Sequence, residues 1–245
     1  MNKVDMDKIN KEILDLWKCY FPYSDNVFAP LLYGKLKKNA LLFIGCNPSF
    51  SEKAINRLLT ENADSFSRKL SAKEFFKWRE LGPNDNADII QYAQLTKEKY
   101  TYFKKFKEMG SAVDHEWEHI DLFYFRQTSQ RDFKLRILQK GQLNNFGGDQ
   151  LDITQRVIKK LDPVAIVVAN AFASGLFREK LNAKAINKSG MYTILNNSKE
   201  IPVFCSSMLS GQRALDNDSF QRLSWQIDLI VNKQWTLEKA REDQE

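Results

Sequence analysis

Cysteine is scarce in this chain: Cys19, Cys46 and Cys205 stand far apart, with no C-x-x-C spacing. Three such thiols cannot all pair, and a cluster or structural zinc held by thiolates is excluded. Histidine is scarcer still, with only His115 and His119 among 245 residues. No apolar run approaches the roughly 18–20 residues that a membrane span needs, so no membrane partner is expected. The opening residues, Met1-Asn2-Lys3-Val4-Asp5-Met6-Asp7, hold no apolar leader, which speaks against secretion and for a reducing, cytoplasmic setting. There is no internal repeat and no low-complexity linker. What remains is 43% hydrophobic and 28% charged, the balance of an ordinary globular protein with a real core. The net charge of +6 permits an acidic partner such as nucleic acid without requiring one.

Two segments near opposite ends of the chain follow one plan. Ala40-Leu41-Leu42-Phe43-Ile44 breaks into Gly45-Cys46-Asn47-Pro48-Ser49, and Ile201-Pro202-Val203-Phe204-Cys205 breaks into Ser206-Ser207-Met208-Leu209-Ser210-Gly211. A continuous apolar run suits a strand buried on both faces, as in a parallel sheet covered by helices. In such sheets ligands bind beyond the carboxyl ends of the strands, so both polar loops belong at that edge. Residues 119–126 and 163–169 read as two further strands, and Met191–Leu195 as a hairpin partner to the last. Helical periodicity predicts helices over 7–21, 64–81, 88–109, 149–161 and from Asp218 onward. The alternation of strands and helices predicts an α/β fold: a three-layer α/β/α sandwich around a four-stranded, mainly parallel sheet. One domain over 1–245 is expected, with a core at about 38–231, a helical insertion at 50–110 and a charged tail at 233–245.

Read together, the two segments resemble those of the uracil-DNA glycosylase superfamily. Gly45-Cys46-Asn47-Pro48 fits its first motif, G-x-[DN]-P, in the Asn version of the mismatch-specific branch. Cys205-Ser206-Ser207-Met208-Leu209-Ser210 fits its second, [HN]-P-S-x-L-S, at Ser207, Leu209 and Ser210. Asp121-Leu122-Phe123-Tyr124-Phe125-Arg126 falls where the family has an N-x-x-K-C-R-like segment. The resemblance implies that Asn47 positions the water attacking the sugar C1′, that Gly45 and Pro48 shape the turn, and that Cys46 and Ser49 line the pocket. It makes Asp121 the base-reading position, gives Ser207, Ser210 and Arg213 phosphate contacts, and makes Leu209, beside Met208, a wedge filling the stack after a nucleotide leaves it.

Two departures bear on chemistry. Cys205 occupies the catalytic position that is His or Asn in the family, followed by Ser206 instead of Pro, and a thiol is a poor donor to a developing oxyanion. Asp121 replaces Asn, and an ionised carboxylate accepts only. The sequence thus points to a DNA glycosylase-type hydrolase acting on a damaged or modified base, with no metal or organic cofactor. The alternative is a catalytically inactive nucleic-acid or nucleotide-binding protein of the same fold. The partner expected in either case is DNA or another nucleic acid.

Other patterns have plainer explanations. His115-Glu116-Trp117-Glu118-His119 matches the zinc-protease helix motif H-E-x-x-H, but it abuts a strand, where its two histidines do not share a helical face. Lys97, Lys99, Lys104, Lys105 and Lys107 interleave with Tyr100, Tyr102, Phe103 and Phe106, either tracking a phosphate backbone or forming an amphipathic helix with solvated lysines. Cys205 reads either as a thiolate or as an inert cysteine. Asn170 reads as a cleft residue or a helix cap, and Trp78, Trp225 and Trp235 read as packing residues.

Overall fold

The computed structural model describes residues 2–22, 24, 26–78, 81–186, 190–211, 213–232, 236, 237 and 239. In chain order the first half comprises β1 (Lys3–Val4), α1 (Asp7–Tyr20), β2 (Leu36–Lys37), β3 (Leu41–Gly45), α2 (Glu52–Glu61), α3 (Ala72–Phe76), α4 (Pro83–Lys99), α5 (Lys104–Ala112) and β4 (Trp117–Asp121). The second half comprises α6 (Gln130–Ile137), β5 (Leu138–Gln139), β6 (Gln142–Leu143), α7 (Asn145–Leu161), β7 (Ala165–Ala169), α8 (Ala171–Lys180), β8 (Lys184–Ala185), β9 (Met191–Asn196), β10 (Lys199–Ser206) and α9 (Asn217–Val231).

The α/β class expected from the sequence is present, but the central sheet has six strands rather than four, in the order β4-β3-β7-β10-β9-β8. The first four pair in parallel, and β9 and β8 extend the sheet antiparallel, making it mixed. The extension comes from the tight turn at Asn197 and Ser198, both at positive φ, which folds β9 back onto β10. Every residue of β3 and β7 is buried, as strands covered on both sides must be. Alternation divides their side chains between two cores. Leu42, Ile44, Ile166 and Val168 join a large core built with α1–α4 and α6–α8, whereas Leu41, Phe43, Ala165 and Val167 join a smaller one built with α5 and α9.

Several helices differ from their periodic signal. The span 64–81 is a 3-10 turn (Ala63–Ser65) and the short α3, because Ser67 turns its backbone N–H and hydroxyl onto Asp88 and Ser71 caps a fresh start. The span 88–109 begins earlier, at Pro83, and breaks at Tyr100, whose backbone is extended while its hydroxyl reaches the Ala54 carbonyl. A 3-10 turn, Thr101–Phe103, then leads into α5. The helix expected from Asp149 starts at Asn145, capped by Asn144 Oδ1 on the Gly147 N–H, while Asp149 accepts from the Tyr20 hydroxyl. Asp216, not Asp218, caps α9. Trp78 is a packing residue whose indole donates to the Phe21 carbonyl, but Trp225 is 61% exposed. Trp235 and most of the tail lie outside the described residues.

Candidate functional site

The register of the parallel strands assembles one row at their carboxyl ends. Asp121 pairs with Gly45, and Ser206 with Ala169. Ile44 pairs with Val168, so the next step places Gly45 beside Ala169. By alternation this row shares the face of His119, Phe43, Val167 and Phe204, over the smaller core. Two polar side chains therefore flank the two smallest residues of the row, at the edge where such sheets bind ligands.

Asp121 dominates the row. Its carboxyl packs directly on Gly45: a Cβ there would lie 2.2 Å from Asp121 Oδ1 and 3.1 Å from His119 Nε2. Only glycine tolerates that approach without displacing one of them. Burial pushes the Asp121 carboxyl up to about 7, with Arg126 pulling the other way. Its backbone N–H donates to the Tyr33 hydroxyl at 3.3 Å, but no hydrogen bond reaches its carboxyl among the described residues. Burial, and secondarily Lys97, push His119 down to about 3, leaving it neutral, and its Nε2 has no partner. Phe103 and Phe106 pack edge-on to that imidazole at 5.0 and 5.5 Å.

Beside this row, Arg126 is buried with its guanidinium 4.0 Å over the Phe76 ring. Its Nε donates to the Ala29 carbonyl, and one terminal nitrogen lacks a partner. Burial lowers it to about 10, still charged at neutral pH.

The loop after β3 is braced by Asn47. Its Nδ2 donates to the carbonyls of Gln127 (2.7 Å), Pro48 (3.1 Å) and Phe125 (3.3 Å), stitching this loop to the chain leaving β4. The Gly45, Cys46 and Pro48 carbonyls accept from Leu122, Phe123 and Gln127, so the two exits run side by side. These bonds fix the amide and leave Asn47 Oδ1 as an acceptor with no partner among the described residues. Burial raises the Cys46 thiol far above neutrality, which makes it an inert wall residue. Ser49 is exposed at the rim.

The loop after β10 is placed differently from what the motif implies. β7 separates β3 from β10, so the two loops share an edge without being sequential neighbours in the sheet. Leu209 is 1% exposed within the smaller core, so the residue expected as a wedge is a packing residue here. The cause is a short bridge between Met208 and Ala214, with the Leu215 N–H on the Met208 carbonyl, which folds the loop inward. Cys205 lies on the other face, against the larger core, where burial raises its thiol while Ser174 and Arg178 oppose the rise. It does not share the face of Asp121. Ser206 bonds the Ser207 carbonyl, Met208 and Ser207 are half-buried, and Arg213 is exposed.

Tyr102 joins the two loops, and the motifs gave no hint of it. Ser210 Oγ donates to its carbonyl at 2.6 Å, and its phenol is raised by burial and by the nearby Asp121 and Cys46. The signal was present only as an aromatic within a helical stripe. The rest of that stripe is structural: Phe103 and Phe106 are core, Lys97 pairs with Glu118 at 2.6 Å, Lys105 with Glu108 at 3.0 Å, and Lys107 donates to the Glu98 carbonyl. Asn170 caps α8, accepting from the Phe172 and Ala173 N–H groups.

His119 lies within β4 and His115 in the turn before it, so the two do not share a helical face. Among the described residues no cluster of His, Cys, Asp and Glu is arranged to hold a metal. No helix among them is long and apolar enough to cross a membrane.

No family model matches the chain, and no curated protein is similar to it. Among solved structures, a domain of unknown function (DUF1537) from Bordetella bronchiseptica, a domain-swapped dimer with bound citrate, matches at 9% identity and a TM-score of 0.29. The match covers 77% of this chain and 41% of that one, so this chain spans about two fifths of its length. A likeness this slight transfers neither fold nor activity.

Proposed function

We propose that this protein is a glycosylase-type hydrolase that binds a single nucleobase at the carboxyl edge of its sheet and cleaves the N-glycosidic bond of a damaged or modified base in DNA. In this reading the helices on both faces of the sheet form the three-layer arrangement of the uracil-DNA glycosylase superfamily. The observation that supports it best is the bracing of Asn47. Three carbonyls orient its amide so that Oδ1 alone is left to hold a water. An amide orients that water but does not take its proton, so catalysis rests on stabilising the departing base and an oxocarbenium-like sugar. Asp121 touches the base over Gly45. Backbone N–H groups of the loop after β10, with Ser207 and Arg213, take phosphates, while the Ser210 hydroxyl is committed to Tyr102.

A second reading is a binding protein that cleaves nothing. It is favoured by the burial of Leu209, the residue expected as the wedge, and by the placing of Cys205 on the opposite face. One experiment separates the two. Wild type and Asn47→Ala are incubated with labelled single and double strands carrying uracil, hypoxanthine, xanthine or mismatched thymine, then treated with alkali. Scission by wild type and not by the variant is the expected result. Salt-sensitive binding without scission selects the binding protein; neither binding nor scission refutes both.

A further inference from the structure

Helix α6 and the hairpin of β5 and β6 that follows it carry Arg131, Lys134, Arg136 and Lys140 against a single acid, Asp132. Elsewhere Lys97 pairs with Glu118, Lys105 with Glu108 and Arg156 with Glu12. The four cations of α6 and the hairpin pair with no carboxylate among the described residues. Two of them lie along aromatic rings: Lys134 Nζ sits 4.5 Å over Phe172, and the Arg136 guanidinium 5.3 Å over Phe125. Like charges crowded on one short segment repel, and a polyanion relieves that repulsion. The segment adjoins the carboxyl edge of the sheet. Gln127, whose carbonyl accepts from Asn47 Nδ2, lies just before α6. Phe133 packs edge-on to Phe123, at the exit of β4, and to Phe172, in the first turn of α8. Phe133 and Ile137 face the larger core, so the opposite side of α6 shows Arg131 and Leu135 one turn apart, flanked by Lys134 and Arg136. Leu135 is 71% exposed. Of the large apolar side chains this open among the described residues, Leu135, Leu195 and Trp225, only Leu135 has a cation on each side of it in the chain.

We propose that this outer face of α6, with the hairpin, is where single-stranded nucleic acid docks: the four cations take its phosphates and Leu135 lies against its bases. The inference rests on the nucleic-acid partner of the reading above and names the form of that partner. A duplex turns its phosphates outward and hides the faces of its bases in the stack. Cations alone would suit it, and a leucine set between them would meet only charged, solvated backbone. In a single strand the bases are splayed, so each phosphate has an apolar base face beside it. A leucine with a cation on either side matches that alternation. In the sheet, β3 and β7 stand between β4 and β10. A strand held by α6 at one end and by the loop after β10 at the other therefore crosses the edge that carries Asn47.

The test measures binding, separately from cleavage, by fluorescence anisotropy over a range of salt concentrations. The probe is one labelled oligonucleotide of mixed sequence and unmodified bases, used alone and annealed to its complement. Wild type is compared with Leu135→Ser, with the pair Arg131→Ser and Lys140→Ser, and with a charge-matched control pair, Lys35→Ser and Lys38→Ser. All five side chains are exposed, and the control lysines precede β3, at the amino edge of the sheet. Circular dichroism checks that each variant is folded. Wild type should bind the single strand about tenfold more tightly than the duplex, and Leu135→Ser should lose most of that margin with its salt dependence unchanged. Loss of Arg131 and Lys140 should flatten the single-strand salt slope by about 1.4, at about 0.7 for each phosphate contact, while the control pair leaves it as it was. Equal flattening by the control pair, duplex binding as tight as single-strand binding, or unchanged affinity in Leu135→Ser overturns the proposal, as does a wild type that binds neither form. The glycosylase reading fails separately, by absence of scission in the comparison with Asn47→Ala. Binding that depends on Arg131, Lys140 and Leu135 without scission upholds the docking face and selects the binding protein.

Discussion

Asp88 and Asp121 are hidden to the same degree, 5% and 7% exposed, yet they sit in opposite circumstances. Asp88 stands at the junction of α4 with the segment before α3, where three donors converge on it and Arg68 also reaches Asp85 at 2.7 Å. Asp121 stands at the carboxyl edge of the sheet, with no donor on its carboxyl among the described residues. A buried carboxylate is costly unless it is bonded, so the first aspartate is a structural fixture. The second is pushed up by burial to about 7, so it is close to half protonated near neutrality, and its oxygens stay uncommitted among the described residues. Equal burial says nothing about role; the difference lies in what surrounds the oxygens.

The largest effect is expected where the satisfied aspartate is broken. Asp88→Ala leaves Arg68 with Asp85 alone and frees both Ser67 donors to solvent, and should cost about 3 kcal/mol in urea unfolding. Asp121→Ala strands nothing and should cost far less. If the two cost the same, the distinction between them fails. The next effect tests the close packing over Gly45. Gly45→Ala drives a Cβ into Asp121 Oδ1 and should cost about 1–3 kcal/mol, the range for overpacking. In an Asp121→Ala background the clash with Oδ1 is gone and only the tight approach to His119 Nε2 at 3.1 Å remains, so the two changes should couple in a double-mutant cycle.

A third effect separates the two titrating neighbours. The folded Asp121 carboxyl is raised from 3.8 to about 7, so its contribution to stability is full below about pH 4 and is lost as pH rises through about 7. His119 is lowered from 6.5 to about 3, so its contribution is present above 6.5 and is lost as pH falls towards 3. Between those limits the slopes oppose, each at most about 1.4 kcal/mol per pH unit. Asp121→Asn removes one slope. Relative to wild type the variant should gain stability steadily from about pH 4 to about pH 7, then hold level, in denaturant melts across that range.

The sequence carried the outline of this site but not its balance. Apolar runs at 40–44, 163–169 and 201–205 were enough to place β3, β7 and β10 and to put residues 45–49 and 206–211 at one edge. β8, two residues long, is too short to leave a periodic signal. The register that sets Asp121 against Gly45 is a long-range pairing between strands 76 positions apart, and no local pattern encodes it. Nor does the string around Asp121 say that Arg126 turns towards Phe76 rather than onto the carboxyl. Leu209 was misplaced for a different reason: its place in the family-like motif implied a wedge, but Met208 pairs with Ala214 and Leu209 is buried in the smaller core.

The smallest effect concerns how tightly the loop after β10 is held. The loop after β3 has three bonds from Asn47 alone, whereas the later loop is tied to the helical insertion by Ser210 Oγ on the Tyr102 carbonyl. A neutral hydrogen bond contributes about 0.5–1.5 kcal/mol net, so Ser210→Ala should lower global stability by about 1 kcal/mol or less. The local consequence should be larger than the global one. Removing that tie lets the loop open without unfolding the sheet, which is the regime in which amide exchange reports sub-global motion. The Leu215 amide, bonded to the Met208 carbonyl, should therefore lose protection in Ser210→Ala, while the Leu122 amide on the Gly45 carbonyl keeps it. Equal loss at both would mean that the two loops open as one unit, and that Tyr102 couples them more firmly than a single hydroxyl accounts for.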